Sequence, residues 1–263
     1  MGIEFKYIYG PVLSWRLGRS LGIDLLSQED KICNFNCVYC QLGSEGRVIR
    51  ERKIYVSVEN VTKELEKLSD LQIDYITFSG RGEPSLAANL AEAIKVVKLI
   101  RKEPVAVLTN SSLVSEQEVR ETLMLADFVV VKLDACSQKT FEEVNRPDKK
   151  IKIADVIEGI KKFREAYRGR LGLQMMFVNK NKAEAGELAY LSNHIKPEEV
   201  QINTPLRPCK EKPLCREEIL KIKEIFLSIC KNIRIVSVYD ERRFNEVSPI
   251  SKEDTLIRRG KVK

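Results

Sequence analysis

The sequence predicts an α/β protein built as a partial (β/α)6 TIM-like barrel that is open on one side. Short β-rich runs alternate with amphipathic helical segments along most of the 263 residues, and this alternation implies parallel strands joined by right-handed crossovers. Only about six strand–helix units can be counted, which is too few for a closed barrel of eight. A doubly wound open sheet shares the same alternation and stays the alternative architecture.

The predicted elements follow from the spacing of the apolar residues. Strands are expected, in chain order, at 22–26, 75–79, 105–109, 128–133, 171–178, 200–203 and 233–238, the last as an edge strand. Helices are expected around 58–68, 86–97, 153–167, 183–195 and 219–229. A further helix is expected after Ser115–Glu118, which has the pattern of a capping box.

The composition is that of one large domain with a mildly basic surface. The net charge is +7, which favours anionic partners such as nucleic acid, although scattered surface lysines give the same sum. We assign residues 1–239 to the barrel and 240–263 to a polar, basic C-terminal extension. The sequence has no apolar leader and no run long enough to span a membrane, so we expect a cytoplasmic protein with reduced cysteines.

Cys33, Cys37 and Cys40 form a C-x3-C-x2-C pattern and offer three thiolates with a fourth position empty. A 4Fe–4S cluster on three thiolates keeps one iron open, whereas a structural zinc site needs four protein ligands. The fourth zinc ligand would be Cys209 or Cys215, whose spacing is unusual for zinc. A second metal site at these two cysteines stays open.

The strand exits carry further candidate residues, because ligands of parallel α/β sheets bind at the carboxyl ends of the strands. In the segment Ser79–Pro84, two glycines allow close approach of a ligand, and their carbonyls with Glu83 suit an ammonium group. Asn110 can contact a carboxylate or ribose, or cap the next helix. Lys132 and Asp134 share a strand face, either as ligand contacts or as an interior ion pair.

Several other polar residues stand near predicted strand ends. Gln201 and Asn203 share a face of the sixth strand, with Arg207 nearby. Arg16 and Arg19 precede the first predicted strand, and either can hold an anionic group of a substrate or be an ordinary solvated arginine. Cys136, Cys209, Cys215 and Cys230 are expected to be buried small residues.

The cysteine pattern, with Tyr39 before its last cysteine, and the Ser79–Pro84 turn on the second strand resemble the motifs of the radical S-adenosylmethionine (SAM) superfamily. More narrowly, the chain resembles a poorly characterised group of prokaryotic Fe–S oxidoreductases, loosely related to wyosine tRNA-modifying enzymes, in four segments: 10–22, 40–43, 132–135 and 203–205. The resemblance covers about residues 8–240.

The resemblance implies a role for each candidate residue. Cys33, Cys37 and Cys40 would bind a 4Fe–4S cluster, and the methionine part of SAM would chelate the open iron. The contacts to SAM implied by the resemblance are Gly80, Gly82 and Glu83 at its amine, Tyr39 at its adenine, and Asn110, Lys132 and Asp134 at its ribose or carboxylate.

The resemblance also implies an oxidoreductase that needs an external one-electron reductant of the flavodoxin or ferredoxin type. Reductive cleavage of SAM would give a 5′-deoxyadenosyl radical, which abstracts hydrogen from an unidentified substrate such as a tRNA base or a peptide. Two alternatives remain at this level. One is a zinc-dependent nucleic-acid-binding protein, and the other is an Fe–S electron carrier that does not use SAM.

Overall fold

A single eight-stranded sheet forms the centre of the computed structural model. The structure describes residues 5–43, 46–68, 71–240, 249–250 and 255–256. The strands lie side by side in chain order. They are β1 (Ile8–Ser14), β2 (Gly18–Ile23), β3 (Tyr75–Phe78), β4 (Val105–Thr109), β5 (Phe128–Lys132), β6 (Arg170–Met176), β7 (Glu199–Asn203) and β8 (Arg234–Ser237).

From β2 to β8 every neighbouring pair of strands is parallel, and β1 runs antiparallel to β2. Because β1 and β8 each have a single neighbour, the sheet is open between them. This arrangement confirms the predicted open-sided partial barrel. The strand β1 was not predicted, because Gly10-Pro11 inside it reads as a turn, and the β1–β2 register is irregular at this point.

The first predicted strand, 22–26, was placed about four residues too late. Strand β2 covers Gly18–Ile23, and its Ser20 pairs with Tyr75 of β3. Asp24 already belongs to the loop after β2: it is buried, and its Oδ1 accepts a hydrogen bond from the Leu26 amide at 3.1 Å. An apolar run that continues past a strand into a buried loop cannot be divided by its pattern alone.

Seven α-helices cover one face of the sheet in the described residues. They are α1 (Val58–Leu65), α2 (Leu90–Ile100), α3 (Gln117–Leu123), α4 (Gln138–Val144), α5 (Ile153–Ala166), α6 (Ala185–Ile195) and α7 (Arg216–Ile229). Helix α4 was not predicted as a helix; Ser137 caps it by accepting the Thr140 amide. None of these helices is long and apolar enough to cross a membrane.

The capping box predicted at Ser115–Glu118 is wrong. Helix α3 begins at Gln117 after Glu116, which makes no side-chain capping bond. The Arg120 guanidinium instead donates to the Ser115 carbonyl at 2.6 Å. A capping box does occur at α7, between Cys215 and Glu218.

The sheet has an apolar layer on each of its two faces. Val105 and Val107 of β4 belong to the main core under the helices. Ala106 of the same strand belongs instead to a small cluster with Leu17 and Phe128. Since neighbouring strand residues point to opposite faces, this small cluster lies on the concave, inner face of the sheet.

The predicted C-terminal extension is described only in part: residues 241–248, 251–254 and 257–263 lie outside the described residues. Within it, the Ile250 amide donates to the Gly10 carbonyl at 2.6 Å. The Gly10 amide donates to Thr255 Oγ1 at 3.1 Å. The described tail residues therefore contact strand β1.

Candidate active site

The loop that carries the three cysteines is fastened on one side to the turn after β3. The Ile32 amide donates to the Arg81 carbonyl, and the Glu83 amide donates to the Ile32 carbonyl, both at 2.9 Å. A Cβ atom on Gly82 would lie 1.6 Å from the Ile32 carbonyl oxygen. Glycine is required at position 82 because the two backbones approach so closely.

On its other side the cysteine loop is held by the end of α4. The Val38 amide donates to the Val144 carbonyl at 2.9 Å, and the Asn36 amide donates to the Arg146 carbonyl at 3.0 Å. Phe35 packs edge-on against Phe141 of α4, with ring centroids 5.4 Å apart. The loop thus bridges the carboxyl ends of β3 and β5.

The three cysteine thiols are partly exposed, and two of them have an amide group nearby. The Asn110 Nδ2 lies 3.7 Å from the Cys33 Sγ, and the Asn145 Nδ2 lies 3.6 Å from the Cys37 Sγ. Burial raises the pKa of the Cys33 thiol to about 12 and that of Cys37 to about 11. Ionising these thiols in such a site requires compensating positive charge, which metal ions supply.

The donor set suits a cluster better than a single ion. No three His, Cys, Asp or Glu side chains within the described ranges converge on one point as a mononuclear metal site requires. A 4Fe–4S cluster does not need such convergence, because each cysteine binds a different iron atom. Three thiols on one loop, with amide donors beside two of them, fit that group.

Glu83 lies at the centre of the turn after β3 and is buried. Its Oε1 accepts hydrogen bonds from the Ser85 hydroxyl and from the Thr109 hydroxyl, both at 2.7 Å. Its Oε2 accepts from the Asn110 amide at 2.5 Å. Burial still raises the pKa of this carboxyl above its ordinary value of 4.5. Glu83 therefore joins the exits of β3 and β4.

The glycine carbonyls of the same turn are more accessible acceptors than Glu83. No backbone amide in the described part of the chain donates to the carbonyls of Gly80 or Gly82. Gly80 has φ of +153°, and a Cβ there would lie 2.2 Å from the Asp24 carboxyl carbon. The turn keeps its shape because a glycine occupies each of these two positions.

Tyr39 and Asp134 are joined in one buried network. The Tyr39 hydroxyl donates to Asp134 Oδ2. Asn145 Nδ2 donates to the same carboxylate oxygen at 2.6 Å, and the Met176 amide donates to Oδ1 at 2.7 Å. The carboxylate of Asp134 is thus engaged by the protein itself and ties the cysteine loop to β5 and β6.

Lys132 lies at the exit of β5 between these two residues. Its Nζ is 3.5 Å from Asp134 Oδ1 and 4.8 Å from the centroid of the Tyr39 ring. About 15% of its side chain is exposed.

The two arginines ahead of β2 have different environments. Arg19 is paired within the protein, because its guanidinium donates to Asp74 at 2.6 Å and 3.0 Å. Arg16 lies in the tight turn between β1 and β2, and its Nε is buried without a hydrogen-bond partner among the described residues.

Strand β7 corresponds to the sixth predicted strand, 200–203, and its polar residues lie on the concave face. Gln201 is fully buried, and its amide donates to Glu199 Oε1 at 2.5 Å. Asn203 Oδ1 accepts from the Thr204 amide at 2.9 Å. Arg207 reaches back to the cysteine loop, where its Nη1 donates to Gln41 Oε1 at 2.6 Å.

Among the described residues, no three metal-ligating side chains that include Cys209 or Cys215 converge. Cys215 is exposed and caps α7, whereas Cys209 is partly buried beside Val38 and Tyr39. All four cysteines outside the cysteine loop were expected to be buried small residues, and this is correct only for Cys230: Cys136 and Cys209 are partly buried and Cys215 is exposed.

Sequence reasoning missed two residues that shape the site. Asn34, inside the cysteine loop, is buried and accepts from Asn110 Nδ2 at 2.9 Å. Asn145 was assigned no role. A polar residue between two of the cysteines was a usable signal for Asn34, whereas nothing near Asn145 in the sequence distinguishes it.

Comparison with known proteins identifies the class to which this fold and loop belong. Residues 31–189 match the model of the radical SAM superfamily. That span includes the three cysteines, the turn at Gly80–Glu83 and the exit of β5. The chain belongs to the radical SAM superfamily, and it is a radical SAM enzyme.

Two relatives have similarity over most of this chain. A UPF0026 protein of Synechocystis sp. is 40% identical over 218 residues, which are 82% of this chain and 81% of that protein. A Brachyspira hyodysenteriae protein described as GTPase Obg is 38% identical over 263 residues. The match covers 97% of this chain but only 38% of the Brachyspira protein.

Two solved structures share the fold at low sequence identity. The SAM-bound SuiB of Streptococcus suis has a TM-score of 0.64 at 15% identity, over 82% of this chain and 52% of SuiB. TYW1 with a lysine-pyruvate adduct has a TM-score of 0.61 at 17% identity, over 80% of this chain and 73% of TYW1. These matches support the partial-barrel fold and carry no assignment of substrate.

Proposed function

We propose that this chain binds one 4Fe–4S cluster through Cys33, Cys37 and Cys40 and reductively cleaves SAM at the iron that has no protein ligand. The observation that supports this most strongly is the pair of hydrogen bonds between Ile32 and the Gly80–Glu83 turn. These two hydrogen bonds hold the cysteine loop beside the backbone carbonyls of the turn, at one edge of the sheet. When bound, the cluster and SAM would supply one electron and a 5′-deoxyadenosyl radical that removes hydrogen from the substrate.

The protein residues would bind and orient SAM. The carbonyls of Gly80 and Gly82 would accept from its amine, and Lys132 would pair with its carboxylate. Asn110 would contact the ribose or carboxylate while its amide stays close to Cys33. In this proposal Glu83 and Asp134 act mainly by holding the turn and Lys132 in place, because their oxygens already accept several internal hydrogen bonds.

Tyr39 would border the adenine with its ring, since its hydroxyl is occupied by Asp134. Its aromatic face also covers Lys132. Together with Val38 it provides an apolar wall on the cysteine loop, because both residues are at least nine-tenths buried. Such a wall excludes water from the reacting groups.

The partners of the reaction are a one-electron donor and a substrate. Radical SAM enzymes generally need an external reductant, and we propose a donor of the flavodoxin or ferredoxin type. For the substrate we consider a tRNA base and a peptide side chain. The net charge of +7 is compatible with the first of these, because a basic surface favours nucleic acid.

The test is SAM cleavage by protein reconstituted anaerobically with iron and sulfide. Wild-type protein should hold about four irons per chain and form 5′-deoxyadenosine and methionine in equal amounts when dithionite is added. The variant C37A should lose both the iron and the cleavage. The matched control C215S, at an exposed cysteine, should keep both. Wild-type protein that holds four irons but forms no 5′-deoxyadenosine would overturn the proposal.

A further inference from the structure

The concave face of the barrel contains two arginines that come from distant parts of the chain. Arg16 lies in the turn that joins β1 and β2, and Arg207 follows β7. Leu17, next to Arg16, is buried against Phe128 and Val130 on the concave face. The turn between β1 and β2 is therefore inserted into the barrel, and Arg16 enters the interior together with Leu17.

Three charged or polar side chains act electrostatically on the Arg16 guanidinium. They are Arg207, Tyr9 on β1 and Glu199 on β7, which come from opposite sides of the open sheet. Tyr9 lies over Gly22, since a Cβ on that glycine would be 2.2 Å from its ring, and its hydroxyl contacts Ser79 Oγ at 2.8 Å. These groups from β1 and β7 therefore lie within electrostatic range of the guanidinium.

Glu199, the carboxylate whose charge acts on Arg16, is already paired. Glu199 Oε2 makes ion pairs with Arg170 at 2.5 Å and with Arg234 at 3.3 Å, and its Oε1 accepts from Gln201. Arg16 has no ion pair among the described residues, and its Nε is buried without a hydrogen-bond partner. A buried guanidinium nitrogen without a hydrogen bond is unfavourable, and Arg207 adds repulsion between like charges.

Arg207 connects this interior to the cysteine loop. Its Nη1 donates to Gln41 Oε1 at 2.6 Å, and Gln41 directly follows Cys40. A group held between Arg16 and Arg207 would therefore lie beside the loop that carries the cysteines. Guanidinium groups match the geometry of carboxylates and phosphates, which they bind with two parallel hydrogen bonds.

We propose that Arg16 and Arg207 together bind an anionic group, a carboxylate or a phosphate, of the molecule that loses hydrogen. This inference rests on the proposed function and narrows its substrate class to anionic molecules. Burial and the neighbouring Arg207 lower the pKa of Arg16 to about 10, so its guanidinium stays charged at neutral pH. An anion between the two arginines would relieve their mutual repulsion.

The experiment is a calorimetric titration of the reconstituted, cluster-loaded protein with inorganic phosphate and, separately, with succinate at constant ionic strength. The single tryptophan, Trp15, lies next to Arg16, whose guanidinium carbon is 5.6 Å from its ring centroid. Its fluorescence therefore reports occupancy of this site. We expect saturable binding of at least one anion, and the one that binds more tightly identifies the group.

The variants R16Q and R207Q should each weaken this binding at least tenfold, since an arginine–anion contact is among the stronger polar interactions. R16K keeps the charge and should retain part of the affinity. The matched control R168Q, at an exposed arginine, should bind as the wild type does. If R16Q does not fold, R16K and R207Q still provide the comparison.

SAM cleavage without substrate separates this inference from the proposed function. The control R168Q should cleave SAM without substrate as the wild type does, whereas a KM for SAM that rises in R16Q or R207Q would place these arginines at SAM instead of at the substrate. Three results would overturn the inference: no anion binding to wild type, equal binding to R16Q, R207Q and wild type, or a KM for SAM that rises in R16Q or R207Q. Wild-type protein that binds phosphate but cannot cleave SAM would refute the proposed function instead.

Discussion

The side-chain amide of Asn145 donates a hydrogen bond of 2.6 Å to the carboxylate of Asp134. The same Nδ2 lies 3.6 Å from the Sγ of Cys37 and 3.0 Å from the Tyr39 hydroxyl. One donor at the end of α4 therefore links the exit of β5 with the cysteine loop. Through this link the orientation of Cys37 depends on a residue more than a hundred positions away in the sequence.

Replacing Asn145 by alanine should destabilise the protein and change the cluster. Asp134 would lose a donor while remaining buried, which costs about 1–3 kcal/mol of the free energy of unfolding. Loss of an N–H group near Cys37 should make the reduction potential of the cluster more negative. Urea denaturation and a redox titration measure the two effects. N193A, at an exposed position of α6, is the control; equal potentials for N145A and wild type would contradict the assigned contact.

Two glycine-to-alanine substitutions should have opposite effects on stability. A Cβ at Gly82 would lie 1.6 Å from the Ile32 carbonyl oxygen, so G82A should separate the cysteine loop from the β3 turn and cost several kcal/mol, roughly 3 or more. At Gly186 in α6 a Cβ would have no heavy atom within 4 Å, so G186A should stabilise by about 0.5–1 kcal/mol. Guanidinium denaturation distinguishes them, and a G82A midpoint equal to wild type would refute the close approach.

The ionisation of Glu83 should make the metal-free protein less stable as the pH rises. Burial raises the pKa of this carboxyl in the folded state, so its stabilising contribution is complete below the ordinary value of 4.5 and is lost as the pH rises through the raised value. The difference in unfolding free energy between wild type and E83Q should therefore change with pH over that interval.

Asp74 provides the control of opposite sign for this measurement. Its hydrogen bond with Arg19 lowers the pKa of its carboxyl below 3.8. The contribution of Asp74 is therefore present above that value and is lost as the pH falls through the lowered one. The difference between wild type and D74N should vary at acid pH only. Parallel pH profiles for wild type and E83Q would contradict a raised pKa at Glu83.

Replacing Lys132 by methionine should weaken SAM binding and leave the cluster in place. Its Nζ is 3.5 Å from Asp134 Oδ1, and in the proposed function it pairs with the carboxylate of SAM. Loss of one hydrogen bond to a charged group costs about 1.5–3 kcal/mol, which corresponds to a KM for SAM at least tenfold higher. K102M, at an exposed lysine, should resemble wild type. Iron content equal to wild type with an unchanged KM would remove Lys132 from the SAM site.

The sequence predicted most of the barrel because the strands from β3 onward are continuous apolar runs buried by helices. It failed where local signals conflict with the fold. The Gly10-Pro11 pair has the pattern of a turn although it lies inside β1. Helix α4 is short, and it depends on packing against the cysteine loop. The cysteines and the glycine turn were recognisable from spacing, whereas Asn145 and the inserted turn at Arg16 depend on contacts between distant segments, which no local pattern reveals.

The most direct test of the central claim is the electron paramagnetic resonance spectrum of the reduced, reconstituted protein with and without SAM that carries 17O in its carboxylate. If Cys33, Cys37 and Cys40 leave one iron for SAM, addition of SAM should change the signal, and the spectrum should show coupling to 17O. The variant C215S should behave in the same way. A reduced cluster whose spectrum is identical with and without labelled SAM would contradict the account.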